Sequence, residues 1–100
     1  MIRIKIKEKL RGIVVSANGH ANYHPGDDIV CSAVSALFYA FGAYVTSTAG
    51  VECECKFGDG YSMIKCTGGV DEAFKMFELG LRMIEAEYGD YVSIEKNVVT

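Results

Sequence analysis

A chain of 100 residues fits one domain (residues 1–100) and leaves no room for a second. Half of its residues are apolar and 23% are charged, which excludes a disordered polypeptide. The net charge of −3, with no large basic cluster, argues against direct nucleic-acid binding.

The N-terminal segment alternates. Ile2, Ile4 and Ile6 share one face of an expected strand and Arg3, Lys5 and Lys7 the other, so the only basic run is its wet face. Arg11-Gly12 marks a turn, and 12–17, rich in Val and Ile, completes a hairpin. Residues 18–27 read as a loop, with the turn dipeptides Asn18-Gly19 and Pro25-Gly26 and both histidines, His20 and His24. A helix follows, capped by Asp27 or Asp28 and running to Thr46 or Thr48. Val51 to Phe57 alternates again, Gly58-Asp59-Gly60 turns, and Tyr61 to Thr67 is the partner strand. In a second helix, 70–88, Phe74, Phe77, Leu81, Ile84 and Tyr88 form one apolar stripe opposite Glu72, Lys75, Glu78, Arg82 and Glu85. A last strand spans 91–98. The order β-β-α-β-β-α-β predicts an α+β fold, a mostly antiparallel sheet packed by two helices.

The first helix is apolar on nearly every side. From Ile29 to Val45 it carries no charge, a run at the short edge of what a membrane span needs. Amphipathic elements flank it, so it reads as a buried helix of a domain that does not cross a membrane. So small a chain has little material to cover such a helix, and a homodimer is expected to bury part of it or a sheet edge. No unbroken apolar stretch follows Met1, so no secretory signal is read, and the four cysteines are expected to be thiols in a reducing cytoplasm. Cys53 and Cys55 share a strand face, and Cys66 is expected beside them as part of a core cluster. No C-x-x-C pair signals zinc, and no Gly-rich loop signals a phosphate, so no metal or cofactor is expected.

The chemistry concentrates in Gly19-His20-Ala21 and Asp28-Ile29-Val30-Cys31. With Asp28 as cap, Cys31 falls in the first helical turn, where the partial positive charge of the helix end favours thiolate over thiol. Free amides of that turn are candidates to steady an oxyanion. His20, from the loop just upstream, is placed to act as base, and a Cys–His pair suffices for acyl transfer through a thioester. The bland alternative is a small core cysteine and a solvated histidine.

These residues resemble the ribosomal-processing cysteine proteases, the Prp family. Its hallmark is Gly-His followed about a dozen residues later by Asp-Ile-Val-Cys and a small-residue helix containing Ser. Gly19-His20-Ala21, Asp28 to Cys31 and Ser35 match it, and the resemblance extends to overall length and the acidic second helix. It implies Cys31 as nucleophile and His20 as general base, with Asp28, Ser35 and Gly19 in support: Asp28 as cap or imidazole orienter, Ser35 lining the cleft, Gly19 turning the backbone. The implied activity is removal of a short N-terminal extension from large-subunit ribosomal protein number twenty-seven, after an aromatic pair, so the implied partner is that N-terminal peptide. The family's loop carries about one more residue between His and Asp, which puts lid closure in question. His24 is a rival base outside the Gly-His-Ala context. A non-enzymatic, ribosome-associated binding protein with Cys31 in its core is the competing reading.

Overall fold

A computed structural model describes residues 1–23 and 28–99. Its elements are β1 (Ile2–Lys9), β2 (Gly12–Asn18), α1 (Ile29–Ser47), β3 (Cys53–Gly58), β4 (Tyr61–Cys66), α2 (Asp71–Glu87) and β5 (Val92–Val98). The architecture is α+β in the order the sequence periodicities predict. The five strands form one sheet in the order β3-β4-β2-β1-β5. Three of its four pairings are antiparallel, and only β1 with β5 is parallel.

Alternation along β1 decides which side of the sheet is covered. Ile2, Ile4 and Ile6 are buried, while Arg3, Lys5 and Lys7 face water. Ile13, Val15 and Ala17 of β2 and Ile64 and Cys66 of β4 join the buried face, and both helices lie against it. The aromatic rings of α1 and α2 join the layers: Phe38 meets Phe77 edge-on at 5.1 Å between centroids, and Phe41 stacks on Phe77 at 4.7 Å. Such pairs add about 0.5–1.5 kcal/mol each beyond the area they bury.

By length and composition α1 could span a membrane. In the fold it buries Val30, Val34, Phe38, Phe41 and Val45 against the sheet and α2. Elsewhere it leaves Tyr39 and Tyr44 exposed: the Tyr39 ring lies 4.8 Å from that of Phe57 in β3, and Tyr44 shares a groove with Met76 of α2, which also exposes Leu79 and Met83. The far end of α2 is tied down by charge. Lys96 of β5 donates to Glu78 at 2.8 Å and lies 3.3 Å from Glu8, while Arg82 bridges Glu78 and Glu85. Glu78 hydrogen bonding, together with Glu8, holds the Lys96 ammonium above its ordinary range despite opposing burial.

The strand order has one consequence for the site. β2 pairs with β4 in a register that sets Asn18 opposite Tyr61. The chain leaving β2 therefore runs beside the tight turn between β3 and β4.

Candidate active site

Three consecutive residues after β2 link that turn to the start of α1. The Gly19 amide donates to the Gly60 carbonyl at 2.9 Å. Gly19 has φ +101°, and a Cβ there would run into the Met1 carbonyl, so both backbone geometry and space demand glycine. The His20 carbonyl accepts from the Met1 amino group at 2.7 Å. Ala21 is buried, and its amide donates to Cys31 Sγ at 3.2 Å. Tyr23 packs edge-on against Tyr88 and Tyr91, fixing the start of the loop to the end of α2 and the entry to β5.

Asp28 caps α1. Its Oδ1 accepts from the Cys31 amide at 2.9 Å and its Oδ2 from the Tyr23 amide at 3.3 Å. Burial alone would raise its pKa, but these amide bonds outweigh it and hold the carboxyl below its ordinary value. Of the two roles open to this residue from sequence, the geometry displays the cap. Asp27, the other candidate cap, and His24, the rival base, lie outside the described residues.

Cys31 is the third residue of α1 and half-buried. It lines an open cleft of about 260 Å³ together with Gly19, His20, Ser35, Asp59 and Gly60. The sulfur is therefore reachable, and Ser35 shares its cleft. The expected lowering of the Cys31 pKa is corrected by the structure. Burial pushes the thiol up, the Ala21 amide opposes this, and the Asp28 carboxylate raises it further. Burial is the main cause of the reversal, and the cap adds to it: the carboxylate that satisfies the helix end also places a negative charge beside the sulfur. It also occupies the Cys31 amide, and the Ser32 amide bonds to the Asp28 carbonyl at 3.1 Å, so neither is free for an oxyanion in this state.

His20 is exposed. Its Nε2 lies 3.6 Å from Asp59 Oδ1, and its ring rests on Gly60. The sulfur is bonded to the Ala21 amide rather than to the imidazole. Asp59 and Gly60 are the site neighbours that sequence reasoning took for turn residues alone. Nothing local marks them, because their place beside His20 follows from the β2–β4 pairing.

The remaining thiols form the expected cluster. Cys53 and Cys66 face each other across β3 and β4, and burial with the neighbouring sulfurs pushes Cys66 to about 11. All four cysteines are free. Among the described residues, no group of three or more His, Cys, Asp or Glu side chains is arranged to hold a metal ion.

The family model for cysteine protease Prp matches residues 1–93. The chain belongs to the Prp family of cysteine proteases. The non-enzymatic reading falls with that assignment. Among solved structures, the ribosomal processing protease Prp of Staphylococcus aureus, bound covalently to a product peptide, superposes with TM-score 0.79 at 20% identity, covering 97% of this chain and 100% of its own. The same enzyme with a substrate peptide gives 0.73 at 22% identity, over 97% and 100% of the two chains. A Streptococcus mutans protein, SMU.848, gives 0.74 at 23% identity, covering 99% and 96%. At these identities the likeness shows the fold. No curated protein matches the sequence.

Proposed function

We propose that this Prp-family enzyme is an endopeptidase that removes a short N-terminal extension from large-subunit ribosomal protein number twenty-seven, with Cys31 as nucleophile and His20 as general base. The observation that carries the reading is the shared cleft: a reachable sulfur at the start of α1 and an imidazole from the adjoining loop line the same opening. The Staphylococcus aureus relative, a ribosomal processing protease captured with peptides, supports the substrate class.

The chemistry follows from the state of the sulfur. Burial and Asp28 favour the thiol, so attack requires a base to take its proton. His20 removes that proton as Sγ adds to the scissile carbonyl carbon. The tetrahedral adduct collapses, the C–N bond breaks, and the imidazolium returns its proton to the leaving amine. Water, activated by the neutral imidazole, then cleaves the thioester, releasing the extension with a free carboxylate and restoring the thiol. Ala21, whose amide now meets the sulfur, and Ser35 border this path. The peptide is an extended segment with bulky apolar residues before the cut, as an aromatic pair demands.

We place the enzyme in the reducing cytoplasm as a homodimer of single-domain chains, acting without metal or cofactor. The four free thiols support the compartment. The apolar groove between α1 and α2 lined by Leu37, Ala40, Tyr44 and Met76, with Met76 and Tyr44 exposed, supports the dimer as a surface for a second copy to cover. A light-scattering mass of one chain at micromolar concentration would refute that assembly. The test of function is cleavage of a synthetic peptide whose short apolar extension ends in two aromatic residues. Wild-type protein cuts after the aromatic pair, and Cys31→Ser and His20→Ala do not. Cleavage by Cys31→Ser would overturn the assignment.

A further inference from the structure

The β3–β4 turn approaches the imidazole more closely than a connecting turn needs to. Gly60 has φ +67°, and a Cβ built there would meet His20 Nε2 at 2.7 Å, Cδ2 at 3.2 Å and Cε1 at 3.3 Å. Those three atoms are one edge of the ring, the Nε2 edge. Asp59, the preceding residue, has Oδ1 3.6 Å from the same nitrogen. The backbone is tied to the same place by the bond from the Gly19 amide to the Gly60 carbonyl. The ring therefore sits with Nε2 toward the turn, leaving Nδ1 as the nitrogen not engaged by it.

We propose that Asp59 and Gly60 are positioning residues for the base: Asp59 draws the ring proton to Nε2, and Gly60 gives the ring its seat, so that Nδ1 is the nitrogen that takes the Cys31 proton. This rests on the assignment of His20 as base. An imidazole carries one proton when neutral, and the nitrogen that holds it cannot accept another. A carboxylate on one nitrogen selects the tautomer whose other nitrogen is bare. Asp59 is solvent-exposed and 3.6 Å from Nε2, so its pull on the neutral ring is weak and screened by water. Gly60 is the stricter requirement, since any side chain there displaces the ring, and displacement of about 1 Å is costly in catalysis.

The experiment uses the full chain and two readouts that need no substrate. Nitrogen-15 chemical shifts of the His20 ring at mildly alkaline pH report the tautomer, and the rate of Cys31 carboxamidomethylation by iodoacetamide, followed by peptide mass, reports proton removal from the thiol. Wild-type His20 is expected in the Nε2–H form. Asp59→Asn is expected to mix the tautomers and slow alkylation about two- to fivefold, with Asp59→Glu restoring much of both. Gly60→Ala is expected to slow it about tenfold or more. Gly69→Ala is its control, since Gly69 also has positive φ, at +95°, but nothing within 4 Å of the added carbon. If Gly69→Ala slows alkylation as much as Gly60→Ala, backbone strain is the cause and the seat is refuted. If His20→Ala slows alkylation but Asp59→Asn and Gly60→Ala keep wild-type rates and tautomer, the positioning role is overturned and the base stands. If His20→Ala reacts as wild type, the base assignment itself fails.

Discussion

The two helices make a natural contrast. Each follows a hairpin, and each packs on the same sheet face. Their first turns differ. The N-cap of α1 is Asp28, whose carboxylate accepts from the Cys31 amide, whereas that of α2 is Val70, with no side-chain cap. The third residue of α1 is Cys31 and that of α2 is Ala73; both pack against the core, but Cys31 also lines the cleft with His20. The end of α2 is balanced by Asp71 and Glu72 in its first turn, while α1 has no acidic residue there and relies on the cap alone. One helix start is built around a sulfur. The other only begins a packing element. The difference teaches that the cap which lets α1 begin beside the sulfur adds to the burial that favours the thiol, so the proposed mechanism needs a base to free the thiolate.

Substitution at the third position of each helix gives the largest separation. Cys31→Ser is expected to abolish peptide cleavage with little change in unfolding free energy, while Ala73→Ser leaves cleavage near wild type; cleavage assays with urea melts on both variants decide it. Next comes the shared core. Phe38→Ala removes a fully buried ring from α1 and is expected to cost about 3–5 kcal/mol, read from the urea midpoint. Equal damage from Val70→Ala at the start of α2 would show that the helix ends, not the ring layer, dominate.

The cap is the third test. Asp28→Ala is expected to cost about 0.5–2 kcal/mol at neutral pH, whereas Val70→Ala removes no cap. The Asp28 pKa is lower folded than unfolded, so its contribution is present above the ordinary value of 3.8 and is lost as pH falls below it, through the folded value. Urea melts of wild type and Asp28→Ala should therefore converge in acid, and a constant gap would contradict the ionic cap. The smallest effect lies on α2. Lys96→Met should cost at most about 1 kcal/mol, because the Glu78 and Glu8 partners are partly exposed. Since the Lys96 pKa is raised on folding, that contribution is present at neutral pH and is lost at alkaline pH, as pH climbs from the ordinary 10.5 through the folded value. A melt comparison at neutral and high pH checks the sign.

Much of the fold was legible because periodicity is local. Ile2, Ile4 and Ile6 report a strand with one wet face, and Phe74, Phe77 and Leu81 report a helical stripe, whatever lies across from them. The cap and the place of Cys31 in the first turn were legible for the same reason, since Asp28 and Cys31 are three residues apart on one helix start. Asp59 was not. It lies 39 positions beyond His20, and the two meet through pairing between strands that are not consecutive. The direction of the Cys31 pKa was illegible too, since the helix end argues one way from sequence and only the packed environment shows that burial and the cap carboxylate win.

The sequence by itself determined the elements, their order, and the presence of a cysteine at the start of one helix with a histidine just ahead of it, because each depends on neighbours along the chain. Only the tertiary structure decided that β4 lies beside β2, which brings Asp59 and Gly60 beside the imidazole and gives the sulfur, packed against the core on one side, a cleft on the other. Strand order is a choice among long-range pairings of similar local character, and no short stretch of residues encodes it.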